Sequence, residues 1–213
     1  MKNEVVVKEG GWIWPKKDER SWQGQIKQKE LAQYILPYVV KNDVMIQAGG
    51  NCGFILSTFV PYFNNIYTFE PDPINFYCLN QNVTAPSVIK MQCCLGKEST
   101  PVAVQHLQRG IGEGIDIGGV HVSGVGFTPT IVIDKLNLQA CDLIQLDIEG
   151  YELNALLGAV ETIKKYKPVL CIEFCENWLN RYEATSDSVE TLLVELGYKH
   201  VESYQADRIY ITQ

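Results

Sequence analysis

Apolar and polar positions along this chain fall into short alternating blocks. Val44-Met45-Ile46 runs into a glycine-bearing turn, residues 54–63 are mostly apolar, Ile66-Tyr67-Thr68-Phe69 follows, and Pro73 opens a segment reaching about Asn80. Proline suits the first turn of a helix, where its missing N–H costs no hydrogen bond. Glycine suits the bend from strand into helix, so strand and helix alternate here. A third strand is predicted over 88–94, and further strands over 130–134, 143–147 and 168–174, with a helix from about Glu152 to Tyr166 before the last. Near-continuous apolar strands separated by helices predict an α/β fold with a doubly wound, mostly parallel sheet covered on both faces.

The flanks read differently. From Ser21 to about Val40, the positions Trp22, Ile26, Tyr34, Ile35, Tyr38 and Val39 recur at helical spacing and predict one amphipathic helix. After the last parallel strand comes a helix from Ser186 to about Leu196, stopped by Gly197. Two strand-like runs then follow with only a few polar residues between them. So short a connection suits a hairpin and places an antiparallel C-terminal strand at or near one sheet edge. Residues 110–126 are rich in glycine and read as a loop or small hairpin excursion. The length of 213 residues, with no repeat or low-complexity linker, predicts a single domain: 1–43 an N-terminal extension and helix, 44–213 the core.

A formal charge of −7 disfavours nucleic acid and anionic membranes as partners. The start MKNEVVVKEGG lacks the apolar segment of an export signal, and no run approaches the length of a membrane span, so a cytoplasmic location is expected. Seven cysteines, odd in number and without a C-x-x-C, lie mostly in apolar runs and read as reduced core thiols; the three histidines show no ligand spacing, and no metal site is expected. Asn82-Val83-Thr84 matches a glycosylation sequon by chance.

Candidate chemistry begins at Ala48-Gly49-Gly50-Asn51-Cys52-Gly53. In open parallel sheets ligands bind beyond the carboxyl ends of the strands, and the first strand–turn–helix unit brings backbone close to ligand. Gly49, Gly50 and Gly53 permit shapes and approaches that a β-carbon blocks. Glu70, ending the next strand, is placed to accept hydrogen bonds from both hydroxyls of a ribose. The turn misses only the first glycine of the dinucleotide fingerprint G-x-G-x-x-G, so a nicotinamide-dependent oxidoreductase stands as an alternative, although no Tyr-x-x-x-Lys pair occurs.

The ordered set VMIQAGGNCGF, YTFEPDP with Asn75 and Asn80 behind it, LIQLDIEGYELNALLGA and PVLCIEF resembles the FkbM family of methyltransferases. That family's pattern is a D-x-G-A-N-x-G turn, an F-E-P, and K-x-D-x-E-G-x-E. The resemblance spans about 44–174. It implies a class I methyltransferase, Rossmann-like fold, S-adenosyl-L-methionine as donor, and a hydroxyl oxygen of a sugar or other small molecule as acceptor. The residues matched to the cofactor are Gln47, Gly49, Gly50, Asn51, Gly53, Glu70, Cys94 and Asp147. Two positions depart from the pattern: Gln47 replaces the acid of the first motif, and Gln145 the lysine before Asp147. An amide at 47 can hydrogen-bond the donor's amino-acid end without offsetting its charge, so a non-catalytic binding module is a third reading.

Methyl transfer to an alcohol needs alignment and a place for the proton. Asp147 is the first candidate to orient or deprotonate the acceptor, Glu149 the second and Glu173 the third. Glu149 and Glu152 would also favour the start of the following helix on electrostatic grounds alone. Trp12, Trp14 and the glycine-rich stretch with His121 are expected to cover the acceptor pocket or, equally, to pack at an edge.

Overall fold

A computed structural model describes residues 2–18, 20–108 and 115–213. A small antiparallel hairpin, β1 (Val5–Val7) with β2 (Ile13–Pro15), opens the chain. Helices α1 (Ser21–Lys27) and α2 (Leu31–Ile35) follow. The single helix predicted over 21–40 is therefore two helices and a 3-10 turn at Leu36–Tyr38. Pro37 removes the backbone donor that would continue the α-helical run, and the chain tightens into the 3-10 turn, with Leu36 itself still helical. The two pieces also face different neighbours. Trp22 of α1 packs on Trp14 and Phe54, whereas Leu31, Ala32 and Ile35 of α2 join a core cluster with Met45 and Phe59.

The central block is β3 (Val44–Ala48), α3 (Phe54–Phe59), β4 (Asn65–Phe69), α4 (Pro73–Asn82) and β5 (Val88–Met91). Asp72 caps α4 by accepting from the N–H groups of Ile74 and Asn75, with Pro73 in the first turn. The third strand ends at Met91 rather than 94. Cys94–Leu95 forms a separate short strand, β6, which leaves the main sheet. After β7 (Val102–Gln108) and β8 (Ile115–Val125), an antiparallel pair, β6 is met by β9 (Thr130–Ile131) in parallel. Residues 109–114 of the glycine-rich stretch lie outside the described residues; from Ile115 the stretch is the long strand β8, and its partner β7 had no counterpart in the sequence reading. The strand predicted over 130–134 is cut to two residues by a 3-10 helix, Ile133–Leu136.

The second half consists of β10 (Leu143–Leu146), α5 (Glu152–Leu157), α6 (Val160–Tyr166), β11 (Val169–Glu173), α7 (Glu176–Leu179), α8 (Ser186–Glu195), β12 (Tyr198–Tyr204) and β13 (Asp207–Thr212). The helix expected over 152–166 is divided between α5 and α6 at Gly158. A β-carbon there would stand 2.2 Å from the Gly96 carbonyl oxygen, so the break lets the Cys94–Gly96 segment pack into the joint. Thr185 and Ser188 cap α8 reciprocally.

Seven strands form one mixed sheet in the order β12-β13-β11-β10-β3-β4-β5. The pairs from β11 through β5 are parallel, and β13 runs antiparallel to both its neighbours. Alternation along β3 divides the core: Val44, Ile46 and Ala48 join a cluster with α5, α6 and α8, while Met45 joins one with α2, α3 and Leu79 of α4. Helices thus cover both faces. Asn82 fastens the N-terminal hairpin, bonding the N–H and carbonyl of Ile13 and the carbonyl of Cys52 at 2.8 Å each. Among the described residues no helix is long and apolar enough to cross a membrane.

Candidate active site

Strand order reverses between β3 and β10, and the carboxyl ends of β3, β4, β10 and β11 surround a cavity of about 350 Å³. Its lining includes Ala48, Gly49, Asn51, Glu70, Pro71, Cys93, Cys94, Asp147, Glu149, Tyr151 and Glu173 from the sheet ends. Arg20, Ser21, Gly24, Gln25 and Lys27 of the α1 region and Asp116, Gly118, Val120 and His121 of β8 complete it. A switch point at strand ends is the general position for ligands in such sheets.

The turn after β3 is closed upon itself. The N–H groups of Gly49 and Gly50 both donate to the Phe69 carbonyl, at 3.1 and 2.9 Å, and that of Gly53 to the Gly50 carbonyl at 2.9 Å. The Asn51 N–H donates to Glu70 Oε2 at 2.7 Å, and the Cys52 N–H to the Asn51 side chain at 2.7 Å. Every backbone donor from Gly49 to Gly53 is therefore engaged within the protein. Gly49 has φ +87°, and a β-carbon on it would lie 1.9 Å from the Asp147 carbonyl oxygen. Added β-carbons on Gly50 and Gly53 would meet Thr68 and Val83 at 2.7 and 2.6 Å. These glycines are required by packing between strands and helices. Gly49 lines the cavity with its backbone; Gly50 and Gly53 do not.

Gln47 is likewise turned inward. Its Nε2 donates to the Gly49 carbonyl at 3.0 Å, its Oε1 accepts from the Thr68 hydroxyl, and it lies outside the cavity lining. Gln145 stands beside it in register, buried, with Oε1 lacking a partner.

Glu70 ends β4 with its carboxylate clasped by two backbone donors, the Asn51 N–H on Oε2 and the Asp72 N–H on Oε1 at 2.8 Å. Each oxygen keeps a lone pair for a further donor. Burial raises its pKa to about 7 despite those bonds. Cys94 lies beside it, its thiol pushed up to about 12 by burial, so it offers the cavity a surface rather than a nucleophile.

Opposite Glu70, Asp147 and Glu173 end adjacent strands and lie close together. Burial raises both acids, Glu173 well above the usual range, with Asp147 as its nearest charge. Burial and the nearby Asp147 and Asp116 raise Glu149 to about 9, and its Oε2 has no partner. Glu152 does not line the cavity; its Oε1 accepts from the N–H groups of Ile148 at 2.9 Å and Gly150 at 3.3 Å and so moulds the turn that carries Glu149. Trp12 and Trp14 also stay outside, packed with Phe54, Cys52 and Ile117; it is α1 beyond them that reaches the cavity. Among the described residues no group of three or more His, Cys, Asp or Glu is arranged to hold a metal ion.

Sequence reasoning missed Asp116, Tyr151 and the α1 residues. Their entry into the site depends on contacts such as Asn75 Nδ2 to the Ile117 carbonyl, 42 residues apart, which no local spacing records.

Residues 47–200 match the family profile described as the methyltransferase FkbM domain. Among solved structures, the chain is similar to the methyltransferase FkbM from Methylobacillus flagellatus KT, at 20% identity and a TM-score of 0.51, over 80% of this chain and 43% of that one. It thus spans less than half the length of that protein. It is also similar to the magnesium protoporphyrin IX methyltransferase of Synechocystis PCC 6803 with bound SAH, at 11% identity and a TM-score of 0.50, over 92% of this chain and 86% of that one. At these identities the likeness concerns the fold. No curated protein matches the sequence.

Proposed function

Because the chain belongs to the FkbM methyltransferase family, we propose that it is an S-adenosyl-L-methionine-dependent methyltransferase acting on a hydroxyl oxygen of a sugar or other small molecule. The observation that carries this reading is the contrast at the β3 turn. A dinucleotide's pyrophosphate is held by free N–H groups at this turn and helix start, but here all five from Gly49 to Gly53 are engaged. What the cavity offers instead is carboxyls: Glu70, Asp116, Asp147, Glu149 and Glu173, against Arg20 and Lys27. Those oxygens suit hydroxyl and ammonium donors, and the engaged turn disfavours the nicotinamide alternative.

In this reading Glu70 accepts the two ribose hydroxyls with the lone pairs its backbone donors leave. The backbone of Cys94 bounds the base, Gly49 and Asn51 bound the nucleoside, and the Asp147–Glu173 pair with Glu149 faces the cationic end. The donor, when bound, supplies an electrophilic methyl group on a positively charged sulfur. The chain's contribution is alignment and exclusion of water, the terms by which positioned groups accelerate a displacement. Asp147 borders the donor's cavity from the strand end. Gln47 supports the turn rather than the ligand, so its departure from the family pattern leaves the cavity's own carboxyls as the counter-charge. The reading also takes 44–213 as the core of one doubly wound domain with 1–43 as its extension, and a cytoplasmic protein whose net charge of −7 turns it from nucleic acid.

Calorimetry with S-adenosylhomocysteine, S-adenosylmethionine and NAD tests it. The first two are expected to bind and NAD not to bind. Glu70→Gln, which keeps the side chain's shape and one acceptor oxygen, should weaken S-adenosylhomocysteine by roughly 1.5–3 kcal/mol, the range for charge-assisted bonds. Unchanged affinity in the folded variant removes the ribose assignment, and binding of NAD alone favours the oxidoreductase.

A further inference from the structure

A second cavity, of about 620 Å³, adjoins the first. His121, Val122 and Tyr151 line both, so β8 and the turn after β10 form a shared wall. The far side of the second cavity carries Lys97, Arg181 and Tyr182. Tyr182 stands edge-on to Tyr151 with centroids 4.9 Å apart, and its hydroxyl donates to the Val122 carbonyl at 2.8 Å, which holds the wall in place. We propose that this second cavity receives the hydroxyl-bearing acceptor and that His121, at the junction, is the general base that takes its proton. The proposal rests on the methyltransferase reading above and assigns that reaction its acceptor site and its base.

A base must be unprotonated and must reach both spaces. The carboxyls beyond the wall, Asp147, Glu149 and Glu173, fail the second demand, and Glu149, raised to about 9 by burial, also holds its proton at neutral pH. None of the three lines the second cavity. His121 does, and its ring is uncharged: burial first, then Arg181 and His106, lower its pKa below the ordinary 6.5, while the backbone of Gly119 pulls weakly the other way. The groups facing this region are His106 on β7, Asp116 on β8 itself, Glu149 and Tyr151 on the turn after β10, and Arg181 and Tyr182 beyond α7. The Nδ1 atom is buried in protein, which leaves Nε2 as the ring nitrogen for a ligand. In the transfer the acceptor oxygen bonds the methyl carbon as the carbon–sulfur bond breaks, sulfur leaves as a neutral thioether, and the hydroxyl proton passes to Nε2 and then to solvent.

Three measurements on the full chain test this. Ring-carbon NMR of isotope-labelled histidines, with S-adenosylhomocysteine present and absent, should show His121 titrating below pH 6.5, identified by loss of its signal in His121→Gln. Transfer of labelled methyl from S-adenosylmethionine to a panel of polyols and methyl glycosides should rise along an acid limb matching that titration. His121→Gln should lose this limb and about a hundredfold or more of turnover while S-adenosylhomocysteine affinity stays within twofold. Ser123→Trp, on the exposed face of the second cavity, should raise the acceptor's KM at unchanged donor affinity. Full turnover or an unaltered acid limb in His121→Gln overturns the base, and an unchanged KM in Ser123→Trp overturns the acceptor cavity. Failure of the wild type to bind S-adenosylhomocysteine overturns the methyltransferase reading instead, and donor binding with no panel member methylated overturns the hydroxyl acceptor.

Discussion

The strand-end floor of the inner cavity and the β7–β8 hairpin beside it hold their polar groups in different ways. On the floor, carboxylates grip backbone close by: Glu70 takes the N–H groups of Asn51 and Asp72, and Glu152 those of Ile148 and Gly150. Gly49 there is fixed by the Asp147 backbone, and Gly50 and Gly53 by side chains of β4 and the α4 end. The hairpin is instead tied to the body at separate points: His106 Nε2 to Asp72 Oδ2 at 3.0 Å, the Ile117 carbonyl to Asn75 at 2.9 Å, and the Val122 carbonyl to Tyr182. A floor made this way keeps its shape at a cost in desolvated acid, whereas a wall held by a few latches can give locally without disturbing the sheet.

The largest effect should come from breaking the floor. Gly49→Val places a β-branched side chain at φ +87° with its β-carbon 1.9 Å from the Asp147 carbonyl oxygen. The expected outcome is loss of the fold, a cost on the order of 4 kcal/mol or more, seen as aggregation or absence of a cooperative melt. A stable Gly49→Val protein that has lost donor binding would instead show that this glycine serves the ligand's approach.

A smaller effect should appear as pH dependence. Burial raises Glu70 and Glu152 to about 7, Asp207 to about 8 and Glu149 to about 9, whereas in the unfolded chain these groups titrate near 4. The folded state then binds more protons, so its stability is full below about pH 4 from these groups and is lost as pH rises through 7 to 9. Melting temperature of the ligand-free protein should fall steadily from pH 5.5 to 9, and S-adenosylmethionine should stabilise more at pH 8.5 than at 6. A flat profile in the absence of ligand would mean that the floor is less desolvated than its geometry indicates.

The smallest effect belongs to the hairpin. Its contact with Asp72 raises the His106 pKa, against burial, so this latch is full below about pH 6.5 and weakens as pH rises through the folded value. With His106 about a third exposed, His106→Gln should cost about 1 kcal/mol or less. Asp72 keeps its cap on α4, so faster hydrogen exchange should be confined to β7 and β8. Faster exchange across β3, β4 and β10 as well would show that floor and hairpin open together.

The sequence by itself determined the alternation of β3 through β5 and of β10 through β11, the C-terminal hairpin, and the placement of Glu70 and Asp147 at strand ends. These follow from periodicity and from glycine, proline and acid at fixed offsets, properties that act over a few residues. It overran the helix over 152–166 because a distant segment, Gly96, packs at Gly158, and the helix over 21–40 because apolar spacing does not record the break between α1 and α2 or the 3-10 turn at Leu36–Tyr38. Only the tertiary structure decided that Gln47 and the glycine turn face inward, that α1 and β8 complete the cavity, and that His121 stands between two spaces. The physical reason is one of range. A turn's shape is written in its own residues, but whether its donors are free depends on Phe69 and Glu70 from another strand. His121 reaches the strand ends only because a hairpin far along the chain is latched across them.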